Sequence, residues 1–299
     1  MNIPVSLCIT MSAYLFGAIF KKYYSREFSQ KSSRHIYNAI TSFIVVITLL
    51  LWGGIGKPSL FTILLGVLFG VTTAIYQIVN LKALEMGPVS YTTVIISLST
   101  ILPALSGAIF WHEKLGVSQI VGMVLLVACL FLSINFKDKD KKGSISWLIY
   151  CMAAFLSVGG IGIMQKVHQT SDFKAEVNAF LIVAFLCSFV YSGITLCIYK
   201  MKQRKGEKEQ KEKLIWKKLL LWGALLVVAG IAIAFNNKLN LILAGIMDSA
   251  VFFPLVNGGG LVLTTVGGVI FFKEKLTVLQ WIGVVVGIAS VVLLCNPFA

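Results

Sequence analysis

Thr73, Gln77 and Asn80 stand at i, i+4 and i+7, which puts them on one helical face with Tyr76 beside them. Asn236 and Asn240 repeat the four-residue spacing, flanked by Asn237 and Lys238. Ser90, Thr93, Ser97 and Thr100 make a third row, Asn257 precedes the triplet Gly258 to Gly260, and Tyr14 lies in the first apolar run. Amides and hydroxyls give and accept hydrogen bonds but do not trade protons near neutral pH. The chemistry they offer is recognition of a polar solute. Tyr14, Tyr76, Gln77, Asn80, Ser97, Asn236, Asn237, Lys238, Asn240 and Asn257 are therefore the candidate substrate-binding residues.

A polar side chain in hydrocarbon is costly unless it meets a partner or a wet cavity, so this set marks function first. Packing is the competing reading. Hydrogen bonds between membrane helices hold bundles together for about 0.6 kcal/mol each, and Ser and Thr also bond back to their own helix. Four polar groups in the five residues from Asn236 to Asn240 exceed what packing asks for, although the Lys238 stem can snorkel to a head group. Pro103 and Pro254 are expected to interrupt their helices and are the candidate hinges. Glycines at 159, 160, 162 and 258–260, and the spacings Gly66-x-x-x-Gly70 and Gly283-x-x-x-Gly287, favour close helix packing.

Other chemistries lack their residues. Glu85, Glu113, Asp248 and Glu274 lie at expected helix ends, where they would meet water or head groups, and no carboxylate is expected in mid-membrane. No zinc-protease or phosphate-loop motif and no paired intramembrane acids are present, so no catalytic residue is assigned and the chain reads as a non-enzyme. His112 and His168 are expected in loops and His35 at a helix start. The six cysteines make no C-x-x-C pair, which argues for apolar thiols and against a metal; no cofactor is implied. A net charge of +14 invites a nucleic-acid reading, but most of the excess sits in three loops between apolar runs, where it orients a membrane protein and attracts anionic lipid.

The elements that must position these residues are transmembrane helices. The chain of 299 residues is 58% hydrophobic and only 13% charged, with a mean hydropathy of +0.88. Runs near 20 apolar residues, enough to cross the hydrocarbon, occupy 3–20, 35–52, 61–81, 89–111, 118–134, 145–165, 175–199, 219–243, 249–272 and 278–295. Their continuity excludes a barrel, whose strands alternate. The first run is followed by Lys21 and Lys22 without a small-residue cleavage site, so it reads as a retained helix. Lys200 to Lys218 is too charged for lipid and reads as a surface helix or loop.

The chain repeats itself. Displaced by 161 residues, Gly107–Gly122 falls on Gly268–Gly283 with nine of sixteen positions identical, Glu-Lys-Leu among them. A weaker match sets Ser12, Gly17 and Lys21 on Ser157, Gly162 and Lys166. Two halves follow, 1–136 and 145–299, joined by Lys137 to Gly143. Five helices in each would leave the second half inverted relative to the first, a recurring transporter architecture with the site between the repeats.

Met86-Gly-Pro-Val-Ser90, Pro103 ten residues before Glu113, and Glu113-Lys-Leu with Gly122 resemble the EamA-domain carriers of the drug/metabolite transporter superfamily. Phe271-Phe-Lys-Glu-Lys-Leu with Gly283 extends the resemblance through the second half, with one departure: Thr264 stands where Pro103 stands in the first. The resemblance implies an all-helical integral membrane protein of ten helices in two inverted five-helix repeats. It implies a carrier that moves a small metabolite across the cytoplasmic membrane by alternating access. Relatives move amino acids, metabolites, drugs or nucleotide sugars, so the solute stays open, as do direction, coupling ion and oligomeric state. A non-transporting scaffold or partner subunit of the same fold is the alternative. Small multidrug exporters of the superfamily need a glutamate in the first helix, and no equivalent is present here. Of 26 basic residues, 21 lie in the links after odd-numbered runs, which places those links in the cytoplasm and both termini outside; the resemblance implies termini inside.

Overall fold

The computed structural model describes residues 2–28, 31–86, 89–132, 145–204, 216–273 and 277–294; among them every regular element is helical. In order these are α1 (Ile3–Glu27), α2 (Lys31–Gly53), α3 (Leu60–Met86), α4 (Val89–Ser97), a 3-10 turn (Leu98–Thr100), α5 (Ile101–Phe110), α6 (Val117–Leu132), α7 (Ile145–Thr170), α8 (Val177–Arg204), α9 (Trp216–Ile246), α10 (Ser249–Phe272) and α11 (Val278–Leu294). Among the described residues six stretches are long and apolar enough to cross a membrane, and Ile3–Gly17, Val94–Phe110, Val117–Leu132 and Val278–Leu294 are shorter apolar helices. Hydrocarbon supplies no partners for backbone N–H and C=O, so a lipid-facing chain closes its hydrogen bonds within each helix. Large apolar side chains point outward, Leu51 and Ile145 among them. The chain is an integral, multi-pass membrane protein.

The contacts divide the chain into two compact units. One comprises Met1–Leu15, Ile75–Ala175 and Leu239–Ala299, the other Phe16–Ala74 and Glu176–Lys238. Each draws on both sequence halves.

In the first unit α6 packs along α11, α10 against α5, and α7 against α4 and α5. Small residues set the spacing. A Cβ at Gly159 would overlap Leu102, one at Gly162 would press on Pro103 and Phe253, and one at Gly258 would overlap Leu126. Ser290 Oγ donates to Gly122 O across the α6–α11 contact at 2.7 Å. Pro103 has no N–H and its ring crowds the carbonyl four residues back. The chain responds by tightening Leu98–Thr100 into the 3-10 turn that separates α4 from α5. Pro254 does not interrupt its helix as expected: α10 runs on through it. It stands in the second turn, so the one ladder bond it forgoes is that to Ala250 O in the first turn.

The repeated segments share their backbone details. His112 and Lys273 occupy corresponding positions and both adopt left-handed backbone, φ 53 and φ 55. Gly107 O accepts from Trp111 N, whereas the corresponding Gly268 O accepts from one position further on, Lys273 N. The next helix then starts alike: Gln119 Oε1 takes Gly116 N at 3.0 Å and Gln280 Oε1 takes Thr277 N at 2.9 Å, the reach-back half of a capping box. Gly122 faces Leu294 and Gly283 faces Leu132, reciprocally.

In the second unit α2 packs along α8. Gly66 and Gly70 lie against Val183 and Ala184, Ser42 Oγ donates to Ser188 Oγ at 3.2 Å, and Glu176 accepts from Ser59 N and Oγ, both at 2.9 Å, ahead of α3. Phe20, Tyr24, Tyr37 and Trp222 form an aromatic cluster joining α1, α2 and α9. Most of the charged segment expected to be a surface helix or loop, 205–215, lies outside the described residues, as does the second Glu-Lys-Leu, 274–276.

Candidate solute-binding site

On α3, Tyr76, Gln77 and Asn80 are half-buried, and Asn80 Nδ2 donates to Tyr76 Oη at 3.4 Å. Thr73 is spent on its own helix, donating to Phe69 O at 2.9 Å. The α3 face thus presents an amide and a phenol that already orient each other, both in the first unit.

On α9 the four polar groups separate by role. Asn237 Nδ2 donates back to Ile233 O at 2.9 Å. Lys238 Nζ lies 4.1 Å from the Trp52 ring centroid, and the same indole stacks on Phe235 at 5.0 Å. The ammonium is held by cation–π attraction at the last turn of α2, where the long stem has carried it. Asn236 and Asn240, one turn apart, carry buried Oδ1 atoms that no donor among the described residues meets. A buried acceptor without a partner loses its hydration uncompensated, and each such atom calls for a reason.

Asn257 is half-buried in α10, beside Gly258 and Gly259, which take Leu126 and the Met11 side chain at close range. Ser97 is half-buried immediately before the 3-10 turn. Tyr14 lies in α1, and its side chain is outside the described residues, as are those of Ser90 and Thr93. The structure therefore joins Tyr76 to Asn80 and removes Asn237 Nδ2 and Lys238 Nζ to partners of their own. Among the described residues no group of three or more His, Cys, Asp or Glu side chains is placed to hold a metal ion.

Sequence reasoning missed one centre. Glu113, expected at a wet helix end, is buried with Lys166: Oε1 lies 2.7 Å from Nζ, with 7% and 6% of the side chains exposed. Two chain segments that no spacing rule connects meet here. The retention of Glu-Lys-Leu in both repeats, against the apolar bias, was the available signal. His168, expected in a loop, is in the last turn of α7 and fully buried, its Nδ1 3.0 Å from Gln169 Nε2. The helix outruns its apolar core there because its polar last turns are buried in protein.

Comparison with known proteins bears on this arrangement directly. Residues 5–135 match the EamA-like transporter family. The first half of the chain is thus similar to a transporter domain. An uncharacterized protein of Haemophilus influenzae is 24% identical over 224 residues, 72% of this chain and 69% of that protein. A Listeria monocytogenes protein whose name proposes sugar uptake is 26% identical over 203 residues, 64% of this chain and 62% of that relative. A protein of known crystal structure superposes with a TM-score of 0.68 at 16% identity, over 97% of each chain, which shows a common fold. EamA proteins are transporters rather than enzymes, and the comparisons support a transporter of the drug/metabolite type in general.

Proposed function

We propose that the chain carries a small, uncharged, hydroxyl-rich solute, a sugar or polyol, across the cytoplasmic membrane by alternating access. The observation that carries the reading is the pair of buried, donorless carbonyl oxygens of Asn236 and Asn240 on α9. Hydroxyl groups of a solute are donors of the kind those oxygens lack. Tyr76, Asn80 and Asn257 are further amide and hydroxyl candidates, and no carboxylate stands in the middle of an apolar run to bind a cation or relay a proton. The relative named for sugar uptake points to the same solute class.

The layout proposed is ten transmembrane helices in two inverted five-helix repeats, 1–136 and 145–299. Three findings support it: the shared left-handed residues His112 and Lys273, the shared helix caps that follow, and the preferential packing of α2 with α8 and of α6 with α11, pairs that correspond between the halves. Pro103, with its 3-10 turn, is the hinge proposed for the first half, since a mid-helix stretch of 3-10 often marks one. Pro254 is its proposed partner in the second.

Purified protein in liposomes, challenged with neutral sugars and with amino acids and organic cations as controls, tests the reading. Saturable uptake of a sugar is expected. A protein that moves none of them yet copurifies with a membrane partner would be the scaffold instead.

A further inference from the structure

Helix ends at a membrane surface ordinarily meet water; those around Glu113 do not. Its carboxylate takes Ser249 N at 2.7 Å and Ser249 Oγ at 3.2 Å besides Lys166 Nζ. Lys166 Nζ in turn donates to Met247 O at 2.9 Å. The pair thus satisfies both sides of the corner between α9 and α10, a carbonyl left over from one helix and an N–H left over from the other. Trp111 Nε1 donates to Thr170 Oγ1 at 3.0 Å and ties the same link to the end of α7. No slack remains: a Cβ at Gly107 would collide with the Glu113 carboxylate and the Ser249 side chain. All of these groups belong to the first unit.

We propose that Glu113 and Lys166 form a reversible latch that shuts one membrane face of the carrier. The inference rests on the layout proposed above, in which the links 111–116, 171–176 and 247–248 follow the fourth, sixth and eighth spans and so share a face. The choice of residues favours a latch over a permanent staple. A buried ion pair forfeits hydration that apolar packing of equal volume does not, so charge is a poor material for a static joint. Charge suits a joint that opens, because entering water solvates both groups and the freed ends of α9 and α10 together. The closed form is then favoured only modestly, so it dominates at rest and a carrier can still visit the open one.

Spin labels at Lys114 and Lys174, both exposed, read the separation of the two sides in lipid nanodiscs; labels at Lys57 and Leu186 in the second unit serve as the control. The unsubstituted protein should give one dominant distance. Glu113→Gln should raise a second, longer distance, displaced by on the order of 5 Å, at least ~10-fold in population, with the control unchanged. The double variant Glu113→Gln with Lys166→Met, which leaves no unpaired charge, should show the same second distance and serves if the single variant does not fold. A single unshifted distance in the double variant, or loss of the control distance along with the other, would make the pair a structural staple and overturn the proposal. The distances need no solute, so protein that moves no sugar contradicts the carrier reading and leaves this measurement to decide the latch by itself.

Discussion

Asn236 and Asn240 keep buried carbonyl oxygens without donors, and a solute hydroxyl that meets either one gains a hydrogen bond the empty protein lacks. Losing one such bond is worth about 0.5–1.5 kcal/mol. Asn236→Ala and Asn240→Ala should therefore each lower sugar affinity by up to about 10-fold, while the thermal midpoint of the empty protein holds, since the lost oxygens stabilised nothing there. Asn80→Ala should also cut transport, by freeing the Tyr76 hydroxyl from its partner. Asn237→Ala should do less, because that amide is engaged with Ile233 O. Titration calorimetry on the purified variants separates these cases, and equal loss at all four positions would mean that the amides hold the bundle together rather than the solute. Spacing alone brought the α3 and α9 rows into view. Which amides have partners was not legible, because a helical interval fixes the face a residue shares and not what packs opposite.

At the scale of elements, neighbouring glycines give a sharp contrast. Gly159 lies against Leu102, whereas nothing stands within 4 Å of a Cβ at Gly160. Gly159→Ala should cost about 1–3 kcal/mol through forced overpacking. Gly160→Ala should be neutral or stabilise by up to about 1 kcal/mol, as alanine is the better helix former. Thermal unfolding in detergent compares them, and equal destabilisation would contradict the packing of α7 on the first turn of α5. The sequence showed both glycines in one cluster and could not rank them, since close approach depends on the partner helix. Element positions were far more legible: each apolar run became helix, because lipid leaves the backbone no other way to close its bonds. The errors lie at the ends. α1, α3 and α9 all extend beyond their apolar runs, since hydropathy marks the lipid-facing stretch and not the polar turns that continue past it.

For the whole molecule, the charge count favours one orientation and the family resemblance the other. Of the five basic residues assigned to the face that carries the termini, Lys166 is paired in the interior and Lys238 lies over Trp52. Lys57, Lys114 and Lys174 are the exposed basic residues of that face, and the charge count favours cytoplasmic odd-numbered links. A cysteine introduced between Lys200 and Lys218 should resist a membrane-impermeant thiol reagent in intact cells, and ready labelling would reverse the assignment.

Counterflow of labelled neutral sugars into liposomes preloaded with the same unlabelled sugar, with no ion or pH gradient imposed, tests the carrier most directly. A binding site built from amides and hydroxyls, with no intramembrane carboxylate, predicts transient accumulation of label above equilibrium, diminished in Asn236→Ala. Entry no faster than into protein-free liposomes for every sugar tried, or entry that needs a proton gradient and fails when one particular acid is neutralised, would contradict it.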